Sequence, residues 1–337
     1  MDLLPTPEQD EIVSSVGAFL TAELPMTRLR ELHAEGAPVD DIVWRQCAAQ
    51  GWFGLGLGEA AGGVGYGLAE EALLFREIGR HLAPGPFLAT VLAARVAPRP
   101  QRDAILDGAT RVALAELREA TVGPDGVTGT VLLYDHLKAE LAIVVAPEGA
   151  AVVELAGFTE LTPSPCIDPS TSIATARAEG LRPLAYMAAA ADPVFTRGAV
   201  LAAAMGSGVA EATRDLSAEH ARSRIQFGKP IGVNQAIKHA CTDMAVRAEA
   251  AATQTFFAAM TLDSQRPDAT FQASSAKLVA TDAALANAQA TIQVHGGLGF
   301  TWEHDAHLHL KRAHVLGQIL GSPHYHLATL INLPPAQ

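Results

Sequence analysis

Several things are scarce in this sequence, and each shortage removes a class of function. Its 337 residues hold three cysteines, Cys47, Cys166 and Cys241, none in a CxxC spacing. Neither a disulfide framework nor a cysteine-ligated zinc is therefore expected, and a reducing cytoplasm fits. Positive charge is short as well: 24 Lys and Arg stand against 36 Asp and Glu, a formal net charge of −12. With no long basic cluster, neither nucleic acid nor an anionic membrane surface is expected as the main partner. No apolar run reaches the roughly 18 residues of a membrane span, and the N-terminal MDLLPTPEQDEIVSSV has no basic segment leading into an apolar one. Internal repeats and low-complexity segments are missing too.

What is present is a chain 49% hydrophobic and 18% charged, enough to bury a large core spread over two or three domains. From Thr6 to about Leu92 the pattern is helical, with Ile12, Val16, Phe19 and Leu20 recurring at spacings of three and four. GWFGLGLGEAAGGVGYG, residues 51–67, has too many glycines for a helix and reads as a loop, either a bundle connection or a ligand loop. Between about Thr110 and Leu181 come short β-branched runs, TRVALAEL, GVTGTVLLY, LAIVVA, GAAVVEL and TSIATARAE, punctuated by PDG at 124–126 and EG at 148–149. They predict a small, mainly antiparallel β-domain. From Asp192 onward long helices return. Ile237, Cys241, Met244, Ala248, Ala251 and Thr255 draw a narrow seam for another helix, and the small residues of Ala202 to Gly208 predict close helix packing. The expected fold class is α+β: an N-terminal helical domain over 1–108, a β-domain over 109–190 and a C-terminal four-helix bundle over 191–337.

Candidate chemistry gathers in HGGLGFTWEHDAHLHLKRAHVLGQILGS, which holds His295, His304, His307, His309 and His314 beside Glu303 and Asp305. If the region after Trp302 is helical, about 100° per residue puts His307 about 60° from His304 but His309 about 160° from His307. The three cannot converge on one ion, so no metal is expected, and the histidines read better as side chains packed at a subunit or domain contact. HGGLGF follows a helical run; its turn lets backbone N–H groups approach an anion, although a helix C-cap explains a glycine equally well. In HARSRIQFGKPIGVNQAIKHA, Arg222, Arg224 and Lys229 surround Phe227 and Gly228. A guanidinium pairs with phosphate and an aromatic ring packs on a flat heterocycle, which fits a nucleotide cofactor; basic side chains also suit a helix C-terminus for its own sake.

Together, RSRIQFGKPIGVNQAI and QVHGGLGFT resemble the R-x-x-F-G-K and Q-x-x-G-G-x-G motifs of the acyl-CoA dehydrogenase family. GWFGLGLGEAAGGVGYG with FREIGRHLAPGPF resembles that family's N-terminal signature, except that Glu59 lacks the usual preceding proline. The resemblance spans nearly the whole chain and implies FAD-dependent α,β-dehydrogenation of an acyl-CoA: a carboxylate takes the α-proton while the β-hydrogen leaves as hydride to the flavin. Hydrogen bonds that polarise the thioester carbonyl make that proton acidic enough. By the same resemblance Arg224, Gln226 and Phe227 match positions that contact the FAD of a neighbouring subunit. Gln293, Val294, His295, Gly296 and Gly297 match the segment that holds that cofactor near its adenosine pyrophosphate.

Departures from the family pattern point further. The flavin loop of form T-E-P-G-x-G-S-D is expected after TRVALAEL, but Glu116 to Asp125 read ELREATVGPD. Near GTVLLYDHL, Leu132 and Leu133 replace a second flavin segment and offer no hydroxyl. The two positions that carry the catalytic glutamate in family members fall on Leu320 and Thr196, neither of which is a base. What remains serves a neighbour's flavin. The chain therefore looks like the short non-catalytic subunit of a heteromeric acyl-CoA dehydrogenase of the actinobacterial, steroid side-chain-degrading kind. That resemblance implies an α2β2 assembly in the cytoplasm, FAD shared with a paralogous subunit that brings the base, an acyl-CoA substrate and an electron-transfer acceptor. Two other readings stay open: a self-sufficient homomeric enzyme with an unassigned base, and a flavin-free structural or regulatory relative.

Overall fold

The computed structural model describes residues 5–36 and 39–333, so the outer ends of the first and third expected domains lie outside the described residues. Six helices lead: α1 (Pro7–Glu23), α2 (Met26–Glu35), α3 (Asp41–Ala49), α4 (Leu68–Arg80), α5 (Phe87–Val96) and α6 (Arg99–Leu106). Seven strands follow: β1 (Val112–Gly123), β2 (Gly126–Tyr134), β3 (Leu141–Ala146), β4 (Gly149–Glu154), β5 (Thr159–Ser164), β6 (Ile173–Leu181) and β7 (Ala185–Ala188). The long α7 (Val194–Ser223) comes next, then a hairpin of β8 (Ile225–Gln226) and β9 (Lys229–Pro230). Last are α8 (Gln235–Asp263), α9 (Ala269–His295), α10 (Ala306–Gln318) and α11 (Pro323–Asn332). The α+β class and the order of helices, sheet and helices are those expected. The chain groups into two compact units, one of Thr27–Glu71 and Pro84–Gly198, the other of Met1–Met26, Ala72–Ala83 and Ala199–Gln337. The divisions fall inside α4 and α7.

The first unit is built on the sheet, whose strand order is β5-β6-β2-β1-β3-β4-β7. β1 runs parallel to β3, and the other neighbours are antiparallel. Period-two alternation puts Ala113, Ala115, Val131, Leu133, Val144 and Val153 in one buried cluster. Helix α5, apolar on nearly every side, packs against β1, β3 and β4 and is buried except at Arg95. Arg95 is tied to Asp192 at 2.7 Å and to the Gly56 carbonyl at 3.0 Å. The glycine segment 51–67 does form a loop, and its glycines let it fold on itself: Val64 N–H donates to Gly54 O and Gly65 N–H to Leu57 O, both at 2.9 Å. At Gly63 a Cβ would collide with the Leu57 carbonyl, so only glycine fits. That self-packing accounts for the segment as a connection.

The second unit is a helical bundle in which α9 is packed by α8, α10 and α11. The expected seam on α8 is real: Met244, Ala248, Ala251 and Thr255 are buried, with Ile237 and Cys241 half-buried at its open end. The small residues 202–208 also do what their size predicts. A Cβ on Gly208 would strike the Arg76 carbonyl of α4, and one on Gly206 would come within 3.3 Å of Ala280 O of α9. Between α7 and α9 runs a row of polar ties. Asn287, fully buried, donates to Ala210 O at 3.1 Å and to Met244 O of α8 at 2.9 Å. One turn on, Thr291 donates to Thr213 O and accepts from Ser217 Oγ, both at 3.0 Å.

Replacing Asn287 by leucine removes two buried hydrogen bonds, to the Ala210 and Met244 carbonyls, each worth about 1 kcal/mol net. Urea denaturation should show a loss of about 2 kcal/mol or more for Asn287→Leu, against less than about 0.5 kcal/mol for Asn332→Leu on the exposed face of α11. Equal midpoints for the two variants would contradict this assignment.

Candidate functional site

The row of ties between α7 and α9 ends in aromatic rings. His220, one turn beyond Ser217, stacks on His295 with centroids 4.1 Å apart, and His295 in turn meets His304 at 4.3 Å. The His295 Nδ1–H donates to Thr291 O at 2.8 Å, one turn back along α9, which fixes the orientation of the ring. Arg224 follows His220 by four residues, and Gly296 and Gly297 follow His295 directly, so the stack brings both sequence-predicted segments to one edge of the bundle. The charge of Arg224 contributes to lowering the His220 pKa, behind burial and the two neighbouring imidazoles.

That edge is open. Arg224, Gln226, Gln293, Gly296 and Gly297 are exposed, and a Cβ at either glycine would meet nothing within 4 Å. Gly296 holds φ 60° and ψ −140°, a conformation that side-chain-bearing residues rarely take. Val294 is buried, so it can offer only its backbone. His295 is 8% exposed and belongs to the stack. Phe227 and Gly228 form the two-residue turn of the β8–β9 hairpin, with φ of 52° and 75°. A turn with both central residues at positive φ favours Asn-Gly, and a phenylalanine there costs on the order of 1–3 kcal/mol. Its ring gains no burial in return, since Phe227 is wholly exposed. An exposed cation, two open glycines and a strained exposed ring suit the phosphate and heterocycle of a nucleotide.

The other sequence-predicted positions look different. Leu320 lies in the link between α10 and α11 at 0% exposure, with φ 55°. Its carbonyl accepts the His326 Nε2–H at 2.9 Å, while His326 Nδ1 accepts from Ser274 Oγ at 3.2 Å. Next to it a Cβ on Gly321 would lie 2.6 Å from that Nε2, so the link is pinned shut. Lys277, also buried, donates from Nζ to Leu316 O at 2.6 Å and ties α9 to the last turn of α10. Thr196 sits in the first turn of α7, half-buried. Its neighbour Arg197 pairs with the buried Glu71 at 2.5 Å, and a carboxylate committed to a guanidinium is a poor proton acceptor. In the sheet, β1 continues to Gly123, with a bulge between Leu117 and Glu119 in its pairing with β2, and turns through Pro124 and Asp125 into β2, with Gly123 opposite Gly126. No loop interrupts it where a flavin-binding one was expected. Leu133 is buried in the sheet's core cluster and Leu132 is half-buried.

The sequence places the start of the histidine-bearing helix too early. Helix α10 begins at Ala306, and residues 301–305 precede it as a bend, with Trp302 under the Lys311 ammonium at 4.1 Å. Helical spacing therefore says nothing of His304, which stacks instead. Among the described residues no three His, Cys, Asp or Glu side chains are grouped to hold a metal ion. Sequence reasoning missed His220 as the partner of His295. The signal was there in Thr213, Ser217 and His220 of α7 and Arg224 just past its end, spaced three and four apart opposite Asn287, Thr291 and His295 of α9.

Comparison with known proteins follows the same lines. The sequence profile of the acyl-CoA dehydrogenase N-terminal domain matches residues 6–104, and that of the C-terminal domain residues 176–331. The chain is 32% identical over 326 residues to acyl-CoA dehydrogenase IpdE2 of Mycobacterium tuberculosis, covering 95% of each. It is 35% identical over 291 residues to acyl-CoA dehydrogenase FadE34 of the same organism, covering 83% of this chain but only 40% of that longer protein. Among solved structures, the ChsE4-ChsE5 complex of Mycobacterium tuberculosis contains a chain that superposes with a TM-score of 0.84 at 22% identity, covering 99% of this chain and 100% of that one. That likeness speaks for the fold. No helix among the described residues is long and apolar enough to cross a membrane.

Burial lowers the pKa of His326 to about 4, with the Lys277 charge adding to the effect, and lowers that of His309 to about 4, with Arg312 and His304 adding. The unfolded chain binds these protons near pH 6.5 and the folded chain only near 4, so stability is full above about 6.5 and falls between 6.5 and 4. Each group accounts for about 3 kcal/mol of that fall. His326→Gln should flatten the stability profile over this interval when unfolding is followed from pH 7 to 4.5. A profile as steep as the parent's would rule out His326 as a source.

Proposed function

Because the chain belongs to the acyl-CoA dehydrogenase family, we propose that it is the non-catalytic subunit of a FAD-dependent acyl-CoA dehydrogenase. It completes a FAD site whose remaining contacts, and whose base, come from a paralogous partner. The observation that carries this is Leu320: the residue at the usual place of the acid is a fully buried aliphatic side chain in a pinned link. Such a side chain neither accepts a proton nor faces a substrate. The uninterrupted hairpin of β1 and β2 supports the same reading, since it leaves no loop on this chain's own sheet to hold a flavin.

At the bundle edge the residues do fit a dinucleotide. Arg224 would pair with a phosphate oxygen, the open backbone at Gly296 and Gly297 would allow a pyrophosphate to approach, and the exposed Phe227 ring would offer a packing surface. Gln226 and Gln293, both exposed, supply amide groups on the same two segments. The flavin, when bound, supplies the hydride acceptor for α,β-dehydrogenation. This chain's share is to hold and orient it and to leave room for a bulky acyl group, which favours a steroid side-chain thioester.

Co-expression with the neighbouring paralogue tests the reading. The complex should carry one flavin per heterodimer and reduce an electron acceptor with an acyl-CoA, while this chain alone stays colourless. Arg224→Ala removes a charge-assisted phosphate contact worth about 1.5–3 kcal/mol, so FAD affinity of the complex should fall by ten- to about a hundredfold. Stoichiometric FAD and turnover in the isolated chain would sink the half-site reading. Unchanged flavin content in the Arg224→Ala complex would remove Arg224 from it.

A further inference from the structure

We propose that His220, His295 and His304 form a proton-sensitive latch that holds the glycine turn against the Arg224 end of α7, closed while the rings are neutral and opened by their protonation. Three elements meet in the stack: the last turn of α7, the last turn of α9 and the bend before α10. The hydrogen bonds already dictate where the protons sit. His304 Nδ1 accepts the Ala306 N–H at 3.1 Å, in the first turn of α10, and so must be unprotonated there. Adding a proton turns that acceptor into a donor, removes the bond and places positive charge where the helix dipole opposes it. His295 Nδ1 donates to Thr291 O, so a second proton on this ring charges it between two other imidazoles.

At His220 the neighbouring charges oppose a further proton. Arg224, just past the end of α7, acts on His220, and Glu219 beside that ring is engaged with Arg222 at 3.5 Å. On the α10 side, His309 Nδ1–H donates to Asp305 O at 3.2 Å, and burial lowers the His309 pKa to about 4, with Arg312 and His304 adding to the effect. Burial and the neighbouring rings and Arg224 all push the His220 pKa down, in keeping with a closed form that excludes protons. Opening relieves the repulsion at His220, whose ordinary pKa is 6.5, so at pH 5.5 protonation of this ring shifts the balance toward the open form by about tenfold.

Hydrogen exchange read by mass spectrometry on the purified full-length chain decides the matter, with labelling times scaled for intrinsic exchange at pH 7.5 and 5.5. Peptides over 292–305 should lose protection by about tenfold or more at pH 5.5, while the interior of α9 over 272–285 stays protected. His220→Phe keeps a ring against His295 but removes one titrating group, and should shrink the loss by about tenfold. Equal protection of 292–305 at the two pH values in the parent protein would overturn the proposal. So would a full-sized loss in a His220→Phe chain whose α9 interior remains protected. Should the variant fold poorly, the His220 imidazole C–H resonance of the parent decides: a ring titrating at or above 6.5 is not held neutral, and the latch fails. The consequence for a cofactor rests on the function proposed above. Flavin should leave the complex over the same pH interval; if exchange responds and flavin does not, the latch stands and the shared site fails.

Discussion

The seam between α7 and α9 is the constraint on which the candidate site depends. Asn287, Thr291 and His295 come round once per turn of α9 and meet Ala210, Thr213, Ser217 and His220 of α7. Polar groups buried at this depth must be paired, so the two helices have one register in which every donor finds its acceptor. A slide of one turn would strand the Asn287 amide and the Thr291 hydroxyl. With the register set, the ends of the helices are set too, and Arg224 and the Gly296–Gly297 turn emerge together. Gly206, within reach of Ala280 O, lets the helices come close enough for these short bonds to form.

Against this ordered edge, the positions where the family pattern calls for an acid or a flavin loop are closed with equal care. Leu320 is buried in a link held by His326 and bounded by a glycine at φ 97°. The strand β1 passes through its expected interruption in continuous register with β2 apart from a bulge between Leu117 and Glu119. Buried apolar side chains and unbroken ladders are stable solutions in themselves, so neither region is left as a gap. Open polar groups at one place and packed aliphatic ones at another divide the labour within a single chain, which is the physical content of the half-site reading.

Much of this was legible in the sequence. The five β-branched runs became β1, β2, β3, β4 and β6: β6 alternates because it buries one face, while β3 and β4 are continuous apolar runs buried on both. The strands β5 and β7 were not legible: β5 reads TELTPS, is exposed throughout and carries Pro163, as an edge strand tolerates and an interior one does not. The α8 seam, the PDG turn and the close packing of residues 202–208 were legible because each rests on local size or conformation. The histidines were not, since ring stacking depends on which helix ends meet, and a helical wheel drawn through residues 303–305 describes a helix that starts only at Ala306. The buried pairs Arg197–Glu71 and Lys277–Leu316 were invisible for the same reason, being fixed by tertiary register alone.

The claim at the centre is that this chain contributes a phosphate-binding edge and no base. A structure of the complex with its paralogue and FAD tests it most directly. The account predicts one flavin per heterodimer, with the Arg224 guanidinium and the Gly296–Gly297 backbone within hydrogen-bonding distance of its pyrophosphate and the partner's carboxylate beside the reacting carbon. A flavin seated on this chain's own sheet, with Arg224 turned away to solvent, would contradict it.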